Sequence, residues 1–311
     1  MVATSGAWGD LLDTRFNFIM DDWNPSPTSM RGEIFTTDTS SKDTERVSQA
    51  EDLGDPSEFG TQAAQTITYQ DFNQGYDTTS THREYASGIQ VQRKLHDDDQ
   101  YRVIENRFGQ LPNSFENLRE KNASRVFRLA FSVDNHFSNN SEGVALCSNS
   151  HTNNSGASTS TGFDNLVTTA LSATNLTAMK IQMSKFRSPR ANRTDIVGDT
   201  LLIPPDLFDT AYEIVASQGK VDTDQNNPNV HLGQYKLLVW PYIMGDDDSE
   251  TNNYFLIDSK RMKQSAIWYQ RVPFETNFIK DFDTMQQKWS GYERYSYLVA
   301  DWRWVIGANV T

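Results

Sequence analysis

The sequence predicts an α+β protein, and three observations carry that reading. Helical and strand periodicities mix along the 311 residues without a regular βαβ repeat. Aromatic residues reach 12% although hydrophobic residues as a whole make up only 37%. Between the periodic stretches lie long runs of Ser, Thr, Asn and Gln. This is the pattern of compact cores joined by polar excursions, not of a disordered chain. Such excursions are costly to order alone, and a partner surface is the usual remedy.

Residues 1–30 read as an extended arm. Trp8, Phe16, Phe18, Ile19 and Trp23 are scattered anchors, and Pro25 and Pro27 interrupt any helix. From Arg31 to Tyr85 the chain is polar, with short alternating pieces such as Gln65–Tyr69 and turn residues Gly54, Pro56 and Gly60. This predicts a long flat hairpin with little core, which either moves freely or rests on a neighbouring molecule. Tyr85 to Leu95 follows as a strand, with Tyr85, Ile89, Val91 and Leu95 on one face.

Pro112 and Asn113 are expected to open the clearest helix, with Asn113 as cap and Glu116 completing a capping box. Its apolar stripe is Phe115, Leu118, Val126, Phe127, Ala130 and Phe131, while Glu116, Arg119, Glu120, Lys121, Arg125 and Arg128 form the polar face. After a Ser/Asn loop at 134–165, a second helix starts at Ser172 and faces Leu176, Met179, Met183 and Phe186 inward. Thr200–Ile203 is a strand stopped by Pro204 and Pro205. A third helix follows from Asp206, burying Leu207, Phe208, Ala211, Ile214 and Val215, and ends near Gly219. Tyr235–Trp240 and Tyr254–Ile257 are strands, and Tyr295–Ile306 reads as a buried closing strand.

The formal net charge is −13, which disfavours tight general binding to nucleic acid and slows self-association until a specific interface overcomes it. A single cysteine, Cys147, cannot form an internal disulfide and suits a reducing compartment. No secretory signal or spanning segment is visible, so a cytosolic chain away from membranes is expected.

Catalytic and metal chemistry finds little to build on. Cys147 and His151 lack a third group to orient the imidazole, and His136, Cys147 and His151 make a poor zinc set without a C-x-x-C pair. Asp222-x-Asp224-x-Asn226 begins like a calcium loop, but Asn227 and Gly233 occupy the positions that need Gly and Glu. Asp97–Asp99, and Asp246–Asp248 with Glu250, read as solvated charge runs. Arg187, Arg190 and Arg193 form the densest basic stretch, either a solvated helix end or a face for acidic patches on a neighbouring molecule. The pairs Trp302/Trp304 and Tyr295/Tyr297 suit core or subunit packing better than sugar or base stacking. No catalytic, cofactor-binding or metal residues are assigned, and no enzymatic activity is expected.

One order of pieces is more specific. Val144–Ser148 leads to His151, a Ser/Asn loop, Asn165, and Leu171–Ser172 opening a helix; Asp199–Pro205 is followed at once by a helix with Leu207 and Ala211. Lys236–Tyr242 and Asn253–Asp258 come next. This order resembles the head-subunit proteins of Mu-type phages, major capsid proteins of tailed double-stranded DNA bacteriophages with the Hong Kong 97-type (HK97-like) fold. The sharp likeness covers 144–258, and the order of elements covers most of the chain.

The resemblance implies an N-terminal arm at 1–30, an extended loop with its flanking strand at 31–95, and a peripheral domain at 96–140 whose spine helix is at 113–132. It implies an axial domain at 141–270 and C-terminal peripheral strands at 271–311. The function implied is geometric: copies assemble as hexamers and pentamers of an icosahedral head enclosing double-stranded DNA by weak contact. Portal, decoration protein and a separate scaffolding protein are the further expected partners, with the virion capsid, and the host cytoplasm during assembly, as location. An encapsulin-like compartment shell, or a β-rich carbohydrate-binding or tail module, is the alternative.

Overall fold

The computed structural model describes residues 29–56, 58, 67, 69–71, 73–94, 103–219, 228–245, 247 and 250–310, with the backbone alone for 103–109. The expected arm falls almost wholly outside these residues, as do Leu95, Asp97–Asp99 and 222–227. The described chain is α+β, as predicted. Its helices are α1 (Arg31–Ile34), α2 (Val103–Arg128), α3 (Ala173–Met183), α4 (Phe208–Ala216) and α5 (Ser259–Ser265). Its strands are β1 (Thr36–Thr39), β2 (Thr44–Ala50), β3 (Gln74–Thr81), β4 (Arg83–Gln92), β5 (Ser138–Asn140), β6 (Leu166–Val167), β7 (Thr200–Ile203), β8 (Lys236–Val239), β9 (Tyr254–Ile257), β10 (Ala266–Lys280), β11 (Gln286–Val299) and β12 (Val305–Ala308).

Three sheets result. A five-stranded sheet runs β6-β12-β9-β7-β8. Successive side chains of a strand point to opposite faces, and here both faces are buried. Leu202, Phe255, Ile257 and Val305 pack towards Ala123 and Phe127 of α2 and Ala130 just beyond its end. Leu201, Ile203, Tyr254, Leu256, Ile306 and Ala308 pack towards α3 and α4. A four-stranded sheet runs β1-β10-β11-β4, with β1 parallel to β10 and the other pairs antiparallel. A small sheet, β2-β3-β5, forms the base of the polar ribbon.

The long helix α2 serves both large sheets. Towards the four-stranded sheet, the Phe115 ring lies 4.8 Å from Phe274, and Asn122 donates to the Tyr295 hydroxyl at 2.7 Å. Towards the five-stranded sheet, Phe127 meets Phe255, Trp304 and Trp240 edge-on at 5.1, 6.0 and 6.2 Å. Such aromatic pairs add about 0.5–1.5 kcal/mol each beyond area burial. At Gly307 a side chain would meet Cys147 Sγ at 2.8 Å and the Phe131 and Phe255 rings at 2.9 and 3.0 Å. Only a hydrogen lets β12 come this close to its neighbours.

Several expectations are corrected. Pro112 and Asn113 do not open the helix, because α2 starts at Val103 and Pro112 lies inside it. Proline removes one ladder bond there, a loss that a helix of 26 residues packed on two sheets absorbs. Arg119 and Glu120 belong to the buried side rather than the polar face, because each has a partner that offsets the cost of burial. Arg119 pairs with Glu293 of β11. Glu120 accepts from Ser29 Oγ and from the backbone N–H groups of Met30 and Arg31, tying the start of α1 to the middle of α2.

The third helix begins with a 3-10 turn at Pro205–Leu207, and Phe208 is exposed rather than buried. The closing strand divides: β11 ends at Val299, a turn carries Trp302 and Trp304, and β12 joins the five-stranded sheet. The expected peripheral stretch 271–311 therefore contributes its last strand beside β9, inside the sheet formed by residues of 141–270. The expected hairpin over 31–85 does not include β1, which pairs with β10; among the described residues β2 and β3 form the ribbon ladder.

Other expectations hold locally. Ser172 caps α3 by accepting from Asn175 N–H at 3.2 Å. Leu176, Met179, Met183 and Phe186 are all buried, and strand β7 stops at the proline pair.

Candidate functional site

The residues that suggested chemistry are kept apart by the fold. Cys147 sits in the core beside Gly307, and burial pushes its thiol far above the ordinary range, so it is not a thiolate at neutral pH. His151 has other partners. Its Nδ1 lies 3.1 and 3.2 Å from the two carboxylate oxygens of Glu142, its ring stacks on Trp302 at 4.1 Å, and Nε2 has no hydrogen-bond partner. Among the described residues, therefore, no nucleophile is hydrogen-bonded to this imidazole. His136 packs edge-on against Phe137, and its carbonyl accepts from Arg83. Among the described residues no group of three or more His, Cys, Asp or Glu side chains could hold a metal ion.

A half-open cavity of about 90 Å³ lies between the end of α2, the 132–146 loop and Trp302. Its polar side chains already face partners: Arg125 with Asp134, His151 with Glu142, and Asp301 with Arg303. Trp302, Trp304, Tyr295 and Tyr297 are all buried, so none offers a free face for stacking a sugar or a base. Of the acidic loop, Asp247 and Glu250 are described, and Glu250 accepts from the Asn253 amide. Among the described residues no helix is long and apolar enough to cross a membrane.

The basic stretch has a structural task. Arg190 pairs with the buried Glu51 at 3.5 Å and donates to the Asp71 carbonyl. Asp52 accepts from Ser188 Oγ at 2.8 Å and from the Asn192 amide at 3.0 Å. Burial alone would push the Asp52 carboxyl up, but these hydrogen bonds hold it below the usual range. The 188–192 turn thus grips the stem of the ribbon. Arg187 donates to Ala191 within the turn, and Arg193 is exposed.

What the chain presents outward is a set of surfaces. The ribbon segment beyond β2 and β3 carries Ile67 and Tyr69, 67% and 90% exposed. Beyond Gln270, β10 pairs only with β11 among the described residues, and Pro273 lies on this edge, where a missing donor does no harm. The far end of the β10–β11 hairpin exposes Phe278, Ile279, Phe282 and Met285. Sequence reasoning passed over this hairpin; the signal available was four large apolar residues within eight positions around Lys280–Asp281. Exposed apolar ends of this kind mark contact sites.

Two buried histidines, His82 and His231, and the half-buried His136 make stability depend on pH. His82 bridges Ser296 Oγ at 2.9 Å and Ser40 Oγ at 3.2 Å. Burial, ahead of the nearby arginines, depresses the pKa of His82 and of His136, and burial does the same at His231. A depressed histidine contributes stability that is fully present above its unfolded pKa of about 6.5 and is lost as pH falls below it. The urea midpoint of the isolated subunit is therefore expected to drop between pH 7.5 and 5.5, and His82→Gln to flatten the slope. An equal slope in the variant would remove His82 from this account.

Comparison with known proteins gives one coherent result. A family model described as phage capsid protein matches residues 76–308. No curated protein matches the sequence. Among solved structures, the fold is similar to a chain in the capsid of the cyanophage P-SCSP1u (TM-score 0.60, 10% identity, 93% of this chain and 90% of that one). It is similar to a chain of Mycobacterium phage Adephagia (TM-score 0.56, 12% identity, 99% and 98%). It is also similar to a chain in the mature capsid of bacteriophage PhiM1 (TM-score 0.56, 9% identity, 93% and 89%).

Proposed function

Because this chain belongs to the phage capsid protein family, with a structural role in the virion shell, we propose that identical copies tile an icosahedral head as hexamers and pentamers around double-stranded DNA. The observation that carries the reading is the family match over 76–308, which spans the long helix, the five-stranded sheet and all of the four-stranded sheet but β1. The outward surfaces agree with it. A ribbon with exposed Ile67 and Tyr69, and a hairpin ending in exposed Phe282, suit a chain whose copies cover one another.

In this reading residues 1–30 are an arm, 31–95 the extended loop and its flanking strand, and 96–140 the peripheral domain with the spine helix. Residues 141–270 form the axial domain, joined by β12, and the rest of 271–311 is peripheral. A separate scaffolding protein, a portal and a decoration protein complete the particle, and assembly takes place in the host cytoplasm. DNA contact is weak because the net charge of −13 repels phosphates. The order of elements over 144–258 supports the Mu-type head-subunit branch of the family. No enzymatic step is needed for this role, and the buried thiol and paired carboxylates supply none.

The test is negative-stain electron microscopy with sedimentation velocity on concentrated protein, expected to show shells or free rings. In a shortened variant a two-residue Asn-Gly turn replaces residues 51–73, joining Ala50 to Gln74 where the two strands already pair. It is expected to fold with a circular dichroism spectrum close to the parent's and to form no shells. Normal shells from this variant would overturn the role given to the ribbon, and a parent chain that stays small even with a scaffold would overturn the capsid reading.

A further inference from the structure

The two ends of the five-stranded sheet carry opposite chemistry. Helix α4 lies over β8 at one edge. Its outer face shows Phe208 and Tyr212, 42% and 57% exposed with ring centroids 5.8 Å apart. Asp209 and Glu213 flank them, exposed and without an ion-pair partner among the described residues. Residues 205–217 contain three acidic and no basic side chains.

Helix α3 lies over β12, towards the other edge. The turn after it is held beside β6 and β12: Gln182 donates to the Asp164 carbonyl, Arg187 N–H to Gly162, and Arg303 to the Arg187 carbonyl. Residues 173–193 contain five basic and no acidic side chains, in a chain whose net charge is −13. Arg190 is spent on the ribbon stem, but Lys185 and Arg193 are exposed and have no ion-pair partner among the described residues.

Resting on the capsid reading, we propose that these two ends meet: α4 of one copy docks on the 184–193 turn of the next, closing a ring head to tail. The occupant is a second copy because the charges are complementary end to end, whereas α4 against α4 would oppose acidic faces. A contact between two different patches of one chain is heterologous and closes into a ring when its rotation permits. Phe208 and Tyr212 supply the aromatic anchors, and a cation over either ring adds attraction once water leaves. Asp209 and Glu213 facing Lys185 and Arg193 set register and speed encounter more than they add bulk affinity.

The test is a charge exchange on the full chain. Asp209→Lys with Glu213→Lys, and separately Lys185→Glu with Arg193→Glu, are each expected to raise the concentration needed for rings or shells by roughly tenfold or more. The four substitutions together restore assembly to the parent threshold. A mixture of the two double variants also recovers rings, but only even-membered ones, since unlike copies must alternate; this arm serves if the fourfold variant misfolds. Parent-like assembly of either double variant, with the parent forming shells beside it, overturns this contact and leaves the capsid reading standing. Recovery in neither the fourfold variant, shown folded by circular dichroism, nor the mixture overturns it too. A parent that never assembles fells both.

Discussion

Replacing Phe127 with alanine is expected to destabilise the isolated subunit by about 3–5 kcal/mol, read from denaturant midpoints. The ring is almost fully buried and is held edge-on by Phe255, Trp304 and Trp240. Those neighbours come from β9, the turn before β12, and the residue that follows β8. They cannot all move inward at once, so the cavity stays open and its cost adds to the lost transfer energy. Phe208→Ala provides the contrast: that ring is exposed in the free subunit, so its removal is expected to cost under about 1 kcal/mol. Equal losses from the two substitutions would mean that α2 does not hold the sheet through Phe127.

Arg119→Ala is expected to cost a similar amount, about 3–5 kcal/mol, for a different reason. Arg119 Nε donates to Glu293 at 2.6 Å, its Nη2 reaches the same oxygen at 2.5 Å, and Nη1 pairs with Glu116. The other oxygen of Glu293 is buried without a hydrogen-bond partner. Burial raises the Glu293 carboxyl above the ordinary range even with Arg119 beside it. An acid with a raised folded pKa favours the protonated folded state, so its contribution is greatest at low pH and is lost as pH rises through that value. Without the arginine this loss grows, so the deficit of the variant should be larger at pH 7 than at pH 5. Glu293→Gln in the same background should recover much of it at pH 7. A pH-independent deficit with no recovery would assign the effect to the lost contact of the Arg119 guanidinium with the Phe274 ring instead.

The sequence revealed the five-stranded sheet better than the four-stranded one, for a physical reason. Thr200–Ile203 and Tyr254–Ile257 are buried on both faces and read as unbroken apolar runs. The β10–β11 hairpin is half solvated, shifts register between Gln270 and Glu275, and contains Pro273 and Gly291, so its alternation is broken at several points. The pairing of β1 with β10 joins residues more than 200 positions apart, which no local pattern announces. Arg119 and Glu120 looked like surface residues because charge on a helix usually is, and only the partners, Glu293 and the start of α1, explain their burial. For the contact surfaces, the sequence held the residue types but not their placement. Arg187, Arg190 and Arg193 stood out as a basic cluster, yet nothing local showed that Arg190 would hold the ribbon and leave Arg193 outward.

Helix α2 has a mechanical consequence. At 26 residues it is a rod of about 39 Å, seated on one sheet through Phe115, Arg119 and Asn122 and on the other through Phe127. Hinging the sheets against each other would have to bend the rod or unseat one set of side chains. A load applied to one sheet, such as outward pressure on a closed container, is carried along the rod into the other and shared, so the subunit yields as a stiff plate rather than folding at a crease.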